Sequence, residues 1–393
     1  MKSNTDNNKL TIFLEGRIDA NNALQTENDV FAVTSQHPGA EVIFDAEKLE
    51  YISSAGLRVL LKVMKSSKEH VSVINVSRDV YDIFETTGFT EMLDIKKAYR
   101  RVSVDGCKVI GNGFYGTVYR IDPETIVKVY RSPESLSMIQ NEKKLARTAL
   151  VAGVPTAIPY DVVRVGDSYG SVFELINAKT FNDLLIEQPE KTDDIIKQYA
   201  RFLHLVNSQT VPAGKLESAK EKCLGYLSSV KKYLDAELYS RLESLLAEIP
   251  EMHNVIHGDA QMKNVMMKDD EPMLIDMDTL SEGHPIFDIQ SVYVTYFAFG
   301  EDEPSNSMDF LGLPSDTTVK GWEDFVGYYF DTQDEARIAK LRDKITIVGC
   351  IRFLFLIDLI SDHETELFRT RIDHTVERLK KLAFVTDSLL FDI

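Results

Sequence analysis

The feature that most constrains this chain is Val255-Ile256-His257-Gly258-Asp259-Ala260-Gln261-Met262-Lys263-Asn264-Val265-Met266. It reads as an apolar strand, a polar loop and a second apolar strand. Asp259 sits in the loop and Asn264 follows five residues later. A further apolar run, Met273-Leu274-Ile275, ends in Asp276-Met277-Asp278. Phosphoryl transfer needs this set of groups: a carboxylate to take or orient the proton of an attacking hydroxyl, and an amide and a second carboxylate to hold the magnesium ions that bridge nucleotide phosphates. A hairpin with a polar tip is the plain alternative for any one of these residues. The spacing Asp259…Asn264…Asp276, with apolar strands between, argues against it.

Upstream context strengthens the reading. Gly111-Asn112-Gly113-Phe114-Tyr115-Gly116 is a G-x-G-x-x-G between strand-like runs. Glycines let backbone approach phosphate groups. Thr117-Val118-Tyr119 favours a strand after the last glycine, which suits a hairpin over a nucleotide rather than a dinucleotide-binding helix. Lys128 lies in the strand Thr125-Ile126-Val127-Lys128-Val129-Tyr130. It is either a solvent-facing residue or a ligand of the α/β-phosphates. Glu142, in the helical stretch 138–145, is a candidate partner for it. Phe173-Glu174-Leu175-Ile176 reads as a hinge whose backbone, at Glu174 and Ile176, would meet an adenine edge.

Residues 105–390 resemble the aminoglycoside phosphotransferase and choline kinase-like family. The pattern H-G-D-x-x-x-x-N followed by I-D-x-D is met at His257, Gly258, Asp259, Asn264, Ile275, Asp276 and Asp278. The resemblance implies a bilobal protein-kinase-like fold, with a small lobe over about 105–173 and a large lobe over about 177–390. It implies Asp259 as catalytic base, Asn264 and Asp276 as magnesium ligands, and Lys128 on phosphate, held by Glu142. His257 and Asp288 would support the catalytic loop. ATP and Mg2+ are the implied cofactors, and a hydroxyl compound the acceptor. Two positions depart from the pattern: Met277 replaces the usual aromatic residue or glycine, and Gln261 stands where His or Lys is frequent.

The first part, about residues 8–98, alternates strands with helices. Leu10–Gly16, Glu41–Asp45 and Val71–Val76 read as strands; Asp19–Val33, Ser53–Met64 and Asp79–Thr86 read as helices. Such alternation predicts a small mixed α/β sheet covered by helices, so the chain as a whole is α/β followed by α+β. Tyr51-Ile52-Ser53-Ser54-Ala55-Gly56-Leu57-Arg58 resembles the signature of the STAS domain, the fold of bacterial anti-sigma-factor antagonists. Glu15-Gly16-Arg17-Ile18-Asp19 and Phe84-Glu85-Thr86-Thr87-Gly88-Phe89 are similar to that family too. Aligned on Gly56, the resemblance makes Ser54 the candidate phosphoacceptor. The serine pair reads either as helix capping or as a phosphorylation switch at a helix N-terminus. A protein partner could dock on this domain with or without phosphorylation.

Composition sets the remaining expectations. The 393 residues suit two or three domains, and the net charge of −18 disfavours nucleic acid and anionic membranes while tolerating a cationic acceptor. Cys107, Cys223 and Cys350 are scattered, with neither metal spacing nor a disulfide pattern, which fits a reducing cytoplasm. The start carries no apolar signal segment, and the apolar run 351–360 is too short and too charged to span a bilayer. In the large lobe, helices are expected over 180–187, 193–208 and within 215–248, with a final pair over 346–362 and 364–390. Residues 281–283 are expected to begin the substrate-side region. Three functional classes follow. One is an ATP-dependent phosphotransferase acting on a small molecule. Another is a signalling protein whose kinase domain phosphorylates Ser54. The third is an interaction protein whose second domain only binds nucleotide, and the intact set of Asp259, Asn264 and Asp276 argues against it.

Overall fold

A computed structural model describes residues 1–6, 8–112, 116–132 and 136–391. The chain divides into two compact units, Met1–Ser103 and Val104–Ile393.

The first unit is a five-stranded sheet in the order β1 (Ser3–Asp6), β2 (Lys9–Ile18), β3 (Glu41–Ile52), β4 (Val71–Val76) and β5 (Asp94–Lys97). β1 runs antiparallel to β2, and the remaining neighbours are parallel. Helices α1 (Ala23–Thr34), α2 (Ser54–Ser66) and α3 (Arg78–Thr86) supply the connections. Leu10, Ile12, Phe44, Val73 and Phe84 form the centre of its core.

Three boundaries differ from expectation. β2 continues past Gly16, which takes a φ of +67° where the β2–β3 register shifts. β3 continues past Asp45 to Ile52, through charged residues that break the apolar alternation. α1 starts four residues later than Asp19, because residues 19–22 form a side-chain-bonded turn: Asn22 Oδ1 accepts from Asp19 N–H and Asp19 Oδ1 from Asn21 N–H.

Ser53 is the N-cap of α2, its hydroxyl accepting from Ala55 and Gly56 N–H at 3.2 and 3.4 Å. Ser54 is the first helical residue and is exposed. A Cβ on Gly56 would lie 2.7 Å from side-chain atoms of both Ile18 and Ile52, which are buried. We expect Gly56→Ala to destabilise this unit by about 1–3 kcal/mol through overpacking, beyond the helix-propensity gain of up to ~1 kcal/mol. Amide exchange over residues 54–66 should rise; unchanged protection would contradict so tight a contact.

The second unit has two lobes. The small lobe holds an antiparallel sheet in which Lys108–Asn112 pairs Gly116–Arg120, that strand pairs Thr125–Tyr130, and Ser168–Glu174 lies between Thr125–Tyr130 and Pro159–Val165. Helix α4 (Leu136–Val151) packs on this sheet. The large lobe is helical. Thr192–Ser208, Ser315–Tyr329 and Glu335–Ile360 bury Tyr199, Phe325 and Ile351 in one core.

The long helix begins at Glu335, eleven residues before the expected start, with Asp334 as its N-cap; its last partner helix is Glu366–Ala383. Charged residues in the first turns of the long helix mask its apolar face in the sequence. Residues 281–283 are a buried strand paired with Asn254–Ile256, and Ser281 lines a cavity among the helices of the large lobe. Trp322, Phe325 and Tyr329 are core residues.

Candidate active site

Between the strands Asn254–Ile256 and Val265–Lys268 the chain makes a tight loop whose hydrogen bonds can be followed atom by atom. Gly258 has a φ of +85°, and a Cβ there would meet Thr279 O at 3.0 Å, so only glycine suits the position. His257 is fully buried. Its Nε2 lies 3.0 Å from Ile275 O, and its Nδ1 is 3.3 Å from Asp259 N–H. Those partners fit one neutral tautomer, with Nε2 donating to the carbonyl and Nδ1 accepting from the amide. The imidazole therefore ties the catalytic loop to the segment that carries Asp276.

Asp259 Oδ2 accepts from Asn264 Nδ2 and from Gln261 Nε2, both at 3.1 Å. Asn264 Nδ2 also donates to Asp259 O at 2.9 Å. These bonds fix the carboxylate through Oδ2 and leave its Oδ1 outside the clamp. Because the amide nitrogen of Asn264 is engaged, its Oδ1 is the atom left for other partners. Gln261, at the position that departs from the family pattern, thus acts as a clamp on Asp259.

Asp288 is fully buried beneath the loop. Its two oxygens accept from His257 N–H at 3.1 Å, Gly258 N–H at 2.9 Å and Asn207 Nδ2 at 2.7 Å. Asn207 in turn donates to Val255 O and accepts from Tyr329 O–H. Tyr199 O–H donates to Ala260 O, and Tyr296 O–H accepts from Met262 N–H. The sequence reading did not single out Asn207, Tyr199 or Tyr296 for this role. The available signal at Asn207 was an amide on the face of its helix that carries Tyr199, Leu203 and Val206 into the core.

Across the cleft, Lys128 Nζ lies 3.0 Å from Glu142 Oε1 and 2.7 Å from Asp276 Oδ1. The strand and helix of the small lobe and Asp276 therefore meet at one ammonium. Asp276 takes a left-handed φ of +64°, which turns its carboxylate toward Lys128. Burial lowers the Lys128 ammonium, but the Glu142 and Asp276 carboxylates outweigh it and hold the group above the ordinary lysine range. Burial pushes the Glu142 carboxyl up to about 7, against the pull of Lys128, with Asp276 and Asp278 adding to the rise. Asp278 is raised by desolvation and by Asp276.

These shifts give a pH test. Below about pH 7 Glu142 takes a proton and stops pairing Lys128; above it the pair is intact. We expect nucleotide affinity to fall as pH drops through 7. Glu142→Gln should bind more weakly at pH 8 and lose most of this dependence. A slope in Glu142→Gln equal to that of the unmodified protein would assign it to another group.

The cleft between the lobes holds about 550 Å3, lined by Ile110, Val118, Phe173, Met266 and Ile275 on its apolar walls. At the hinge, Glu174 N–H donates to Ile158 O and Leu175 N–H to Glu124 O. The Glu174 N–H is thus spent in the sheet, while Glu174, Leu175 and Ile176 line the cleft. The Glu174 carboxylate pairs Lys268 at 2.8 Å. Of the glycine-rich loop, Gly113 lies outside the described residues. Gly111 and Gly116 pack in the hairpin, where a Cβ on Gly116 would fall 2.2 Å from Val129 O. Strand packing alone therefore demands glycine at 116. Among the described residues no three His, Cys, Asp or Glu side chains converge as a metal cage. Magnesium at phosphate sites uses one or two carboxylates beside the substrate's own oxygens, and the oxygen donors of Asn264 and Asp276 fit that pattern.

A two-lobed fold with this loop defines a kinase-type phosphotransferase. The comparisons with known proteins agree: the chain belongs to the phosphotransferase enzyme family, whose model matches residues 106–312, and a STAS domain precedes it over residues 1–102. The enzyme transfers phosphate to a hydroxyl group. A curated relative of the first part, the proposed anti-sigma factor antagonist BtrV of Bordetella bronchiseptica, is 32% identical over 85 residues, covering 21% of this chain and 72% of that protein. Among solved structures, a choline/ethanolamine kinase family protein from Mesorhizobium loti is similar at 17% identity and a TM-score of 0.45, covering 70% of this chain and 87% of that one. The ADP-bound aminoglycoside phosphotransferase APH(2'')-Ib gives 16% identity and 0.45, covering 70% and 93%. Family membership rests on the family model, since both scores are below 0.5. No described helix is long and apolar enough to cross a membrane.

Proposed function

We propose that the protein transfers the γ-phosphate of ATP to a hydroxyl of a small molecule, with the STAS domain as a docking or regulatory module. The observation that supports this reading is one cleft lined by Lys128, Glu142, Asn264 and Asp276, with Lys128 paired to Glu142 and Asp276 and Asp259 bonded to Asn264. The adenine edge would meet the Glu174 carbonyl and Ile176 N–H. Lys128, fixed by Glu142, would hold the α/β-phosphates, with Gly111, Gly113 and Gly116 in the hairpin above. Asn264 and Asp276 would hold magnesium, which when bound supplies charge neutralisation on the phosphates. Asp259 Oδ1 receives the hydroxyl proton as the new O–P bond forms and the bond to ADP breaks. The products are a phosphomonoester, ADP and a proton. His257 and Asp288 hold the loop that aims Asp259. The acid excess suits an acceptor with a cationic group, and the free cysteines fit a cytoplasmic setting. Nucleotide and acceptor are the ligands proposed, with neither nucleic acid nor membrane among the partners.

ADP release with Mg-ATP and a panel of hydroxyl compounds tests the reading. At least one acceptor should raise turnover well above background, and chelating magnesium should abolish it. Turnover that no acceptor stimulates counts against a small-molecule substrate.

A second reading rests on a separate observation: Ser53 does the capping, which leaves the Ser54 hydroxyl exposed at the mouth of α2. The kinase domain would then phosphorylate Ser54, in cis or in trans, and so switch partner binding. Intact-mass measurement after Mg-ATP should then show a gain of one phosphate that Ser54→Ala removes; an unchanged mass excludes self-phosphorylation.

A further inference from the structure

A smaller cavity of about 230 Å3 opens beside the loop, at Gly258, among helices of the large lobe. Gly258, Asp278 and Thr279 contribute its catalytic end. Lys222 and Tyr226 come from the helix Ala219–Ser229, Gln290 from Ile286–Tyr293 and Arg352 from Glu335–Ile360.

Two side chains there, Gln290 and Arg352, lack what their chemistry asks for. Gln290 is only 2% exposed; its Nε2 donates to Phe287 O at 3.3 Å, while its buried Oε1 has no donor. A buried amide oxygen without a donor is uncommon in a folded protein. Arg352 has no carboxylate within ion-pair distance among the described residues, and its guanidinium lies 5.7 Å from the centre of the Tyr226 ring. Lys222 contacts Thr279 O at 3.5 Å and pairs at 3.1 Å only with Glu217, whose side chain is 81% exposed. The lining therefore offers an anion the guanidinium of Arg352, whose planar fork suits a carboxylate, and the ammonium of Lys222, ion-paired among the described residues only with an exposed glutamate. A neighbouring group offers an acceptor to a donor. Asp278 supplies the opposite sign at the catalytic end, so a ligand that bridges the cavity keeps its anionic end toward Arg352.

We propose that this cavity binds the non-reacting end of the acceptor and that the acceptor is a small hydroxycarboxylate. Its carboxylate would meet Arg352 and Lys222, a hydroxyl or amine hydrogen would meet Gln290 Oε1, and the reacting hydroxyl would turn toward Asp259. This rests on the phosphotransferase reading above. It gives one end of the acceptor the charge opposite to that suggested by the acidic composition. The volume lies below the roughly 300–1,000 Å3 of sites for drug-sized molecules, so the group it accepts is small.

The test uses the full-length protein and Mg-ATP, with ADP release measured for a panel of small hydroxycarboxylates led by glycerate and serine, for their amides, and for choline. A hydroxycarboxylate should be preferred over its own amide by about 10- to 100-fold in kcat/KM, the worth of a hydrogen bond to a charged group. Arg352→Gln should erase that preference, mainly by raising KM for the acid, and Arg352→Lys should restore part of it. Nucleotide affinity of each variant reports whether it is folded, and the acid-to-amide comparison in the unmodified protein needs no variant at all. Equal use of acid and amide, preference for choline, or no stimulation by any hydroxycarboxylate would overturn the proposal while leaving phosphotransfer intact. If chelating magnesium leaves ATP turnover unchanged, the phosphotransferase reading of the site fails, and the acceptor proposal with it.

Discussion

Asp259→Asn should lower kcat by about 10²- to 10⁴-fold, the usual contribution of a positioned general base. Nucleotide affinity should change little. The substitution keeps the shape of the side chain, and an amide oxygen can still accept from Gln261 and Asn264, which now hold the carboxylate at 3.1 Å each. What disappears is the second carboxylate oxygen, the one left outside the clamp. Single-turnover kinetics with a working acceptor separate this loss from binding. A loss of less than about threefold would mean that positioning and charge neutralisation dominate and that the hydroxyl proton leaves without Asp259.

The second large effect is structural. Asp288→Ala should destabilise the second unit by about 3–5 kcal/mol, the cost of breaking a buried charged network from one side. The carboxylate serves three donors, two of them backbone N–H groups of the catalytic loop. Alanine leaves all three buried without an acceptor, and each such group costs about 1–3 kcal/mol. Denaturant unfolding followed with exchange over residues 254–260 would read both the global loss and the local loosening. A midpoint shifted by less than about 1 kcal/mol would show that water or Asn207 takes over the role. Asp288→Asn is the finer probe. It keeps one acceptor oxygen but presents an amide N–H2 to donors, so its fold should survive with the loop misaligned.

The candidate site was legible in the sequence because its principal groups sit close together along the chain. Asp259, Asn264 and Asp276 fall within one loop and hairpin, where strand alternation fixes their placement. Lys128 and Glu142 were legible by order, as a strand lysine followed by a helix. Asn207, Tyr199 and Tyr296 were hidden, because each is a polar tip on a helix that otherwise reads as core, and its partners lie 34 to 122 residues away. The same physics explains the helix that starts at Glu335. Its first turns are charged, and only the Asp334 cap announces them. In the first unit the strands were found but cut short, since bulges at Gly16 and beyond Asp45 interrupt the period of two that identifies a strand.

The tight seat of Gly56 carries a consequence for signalling. With side-chain atoms of Ile18 and Ile52 pressed against its α-carbon and two amides bonded to Ser53, the first turn of α2 has no slack to tilt or slide. A charge added at Ser54 would therefore work as a printed mark rather than a lever. It would alter what an approaching surface reads at that spot without reshaping the unit beneath. Chemical-shift changes on phosphorylation should stay within that turn, and a partner should distinguish the two forms by electrostatic match alone.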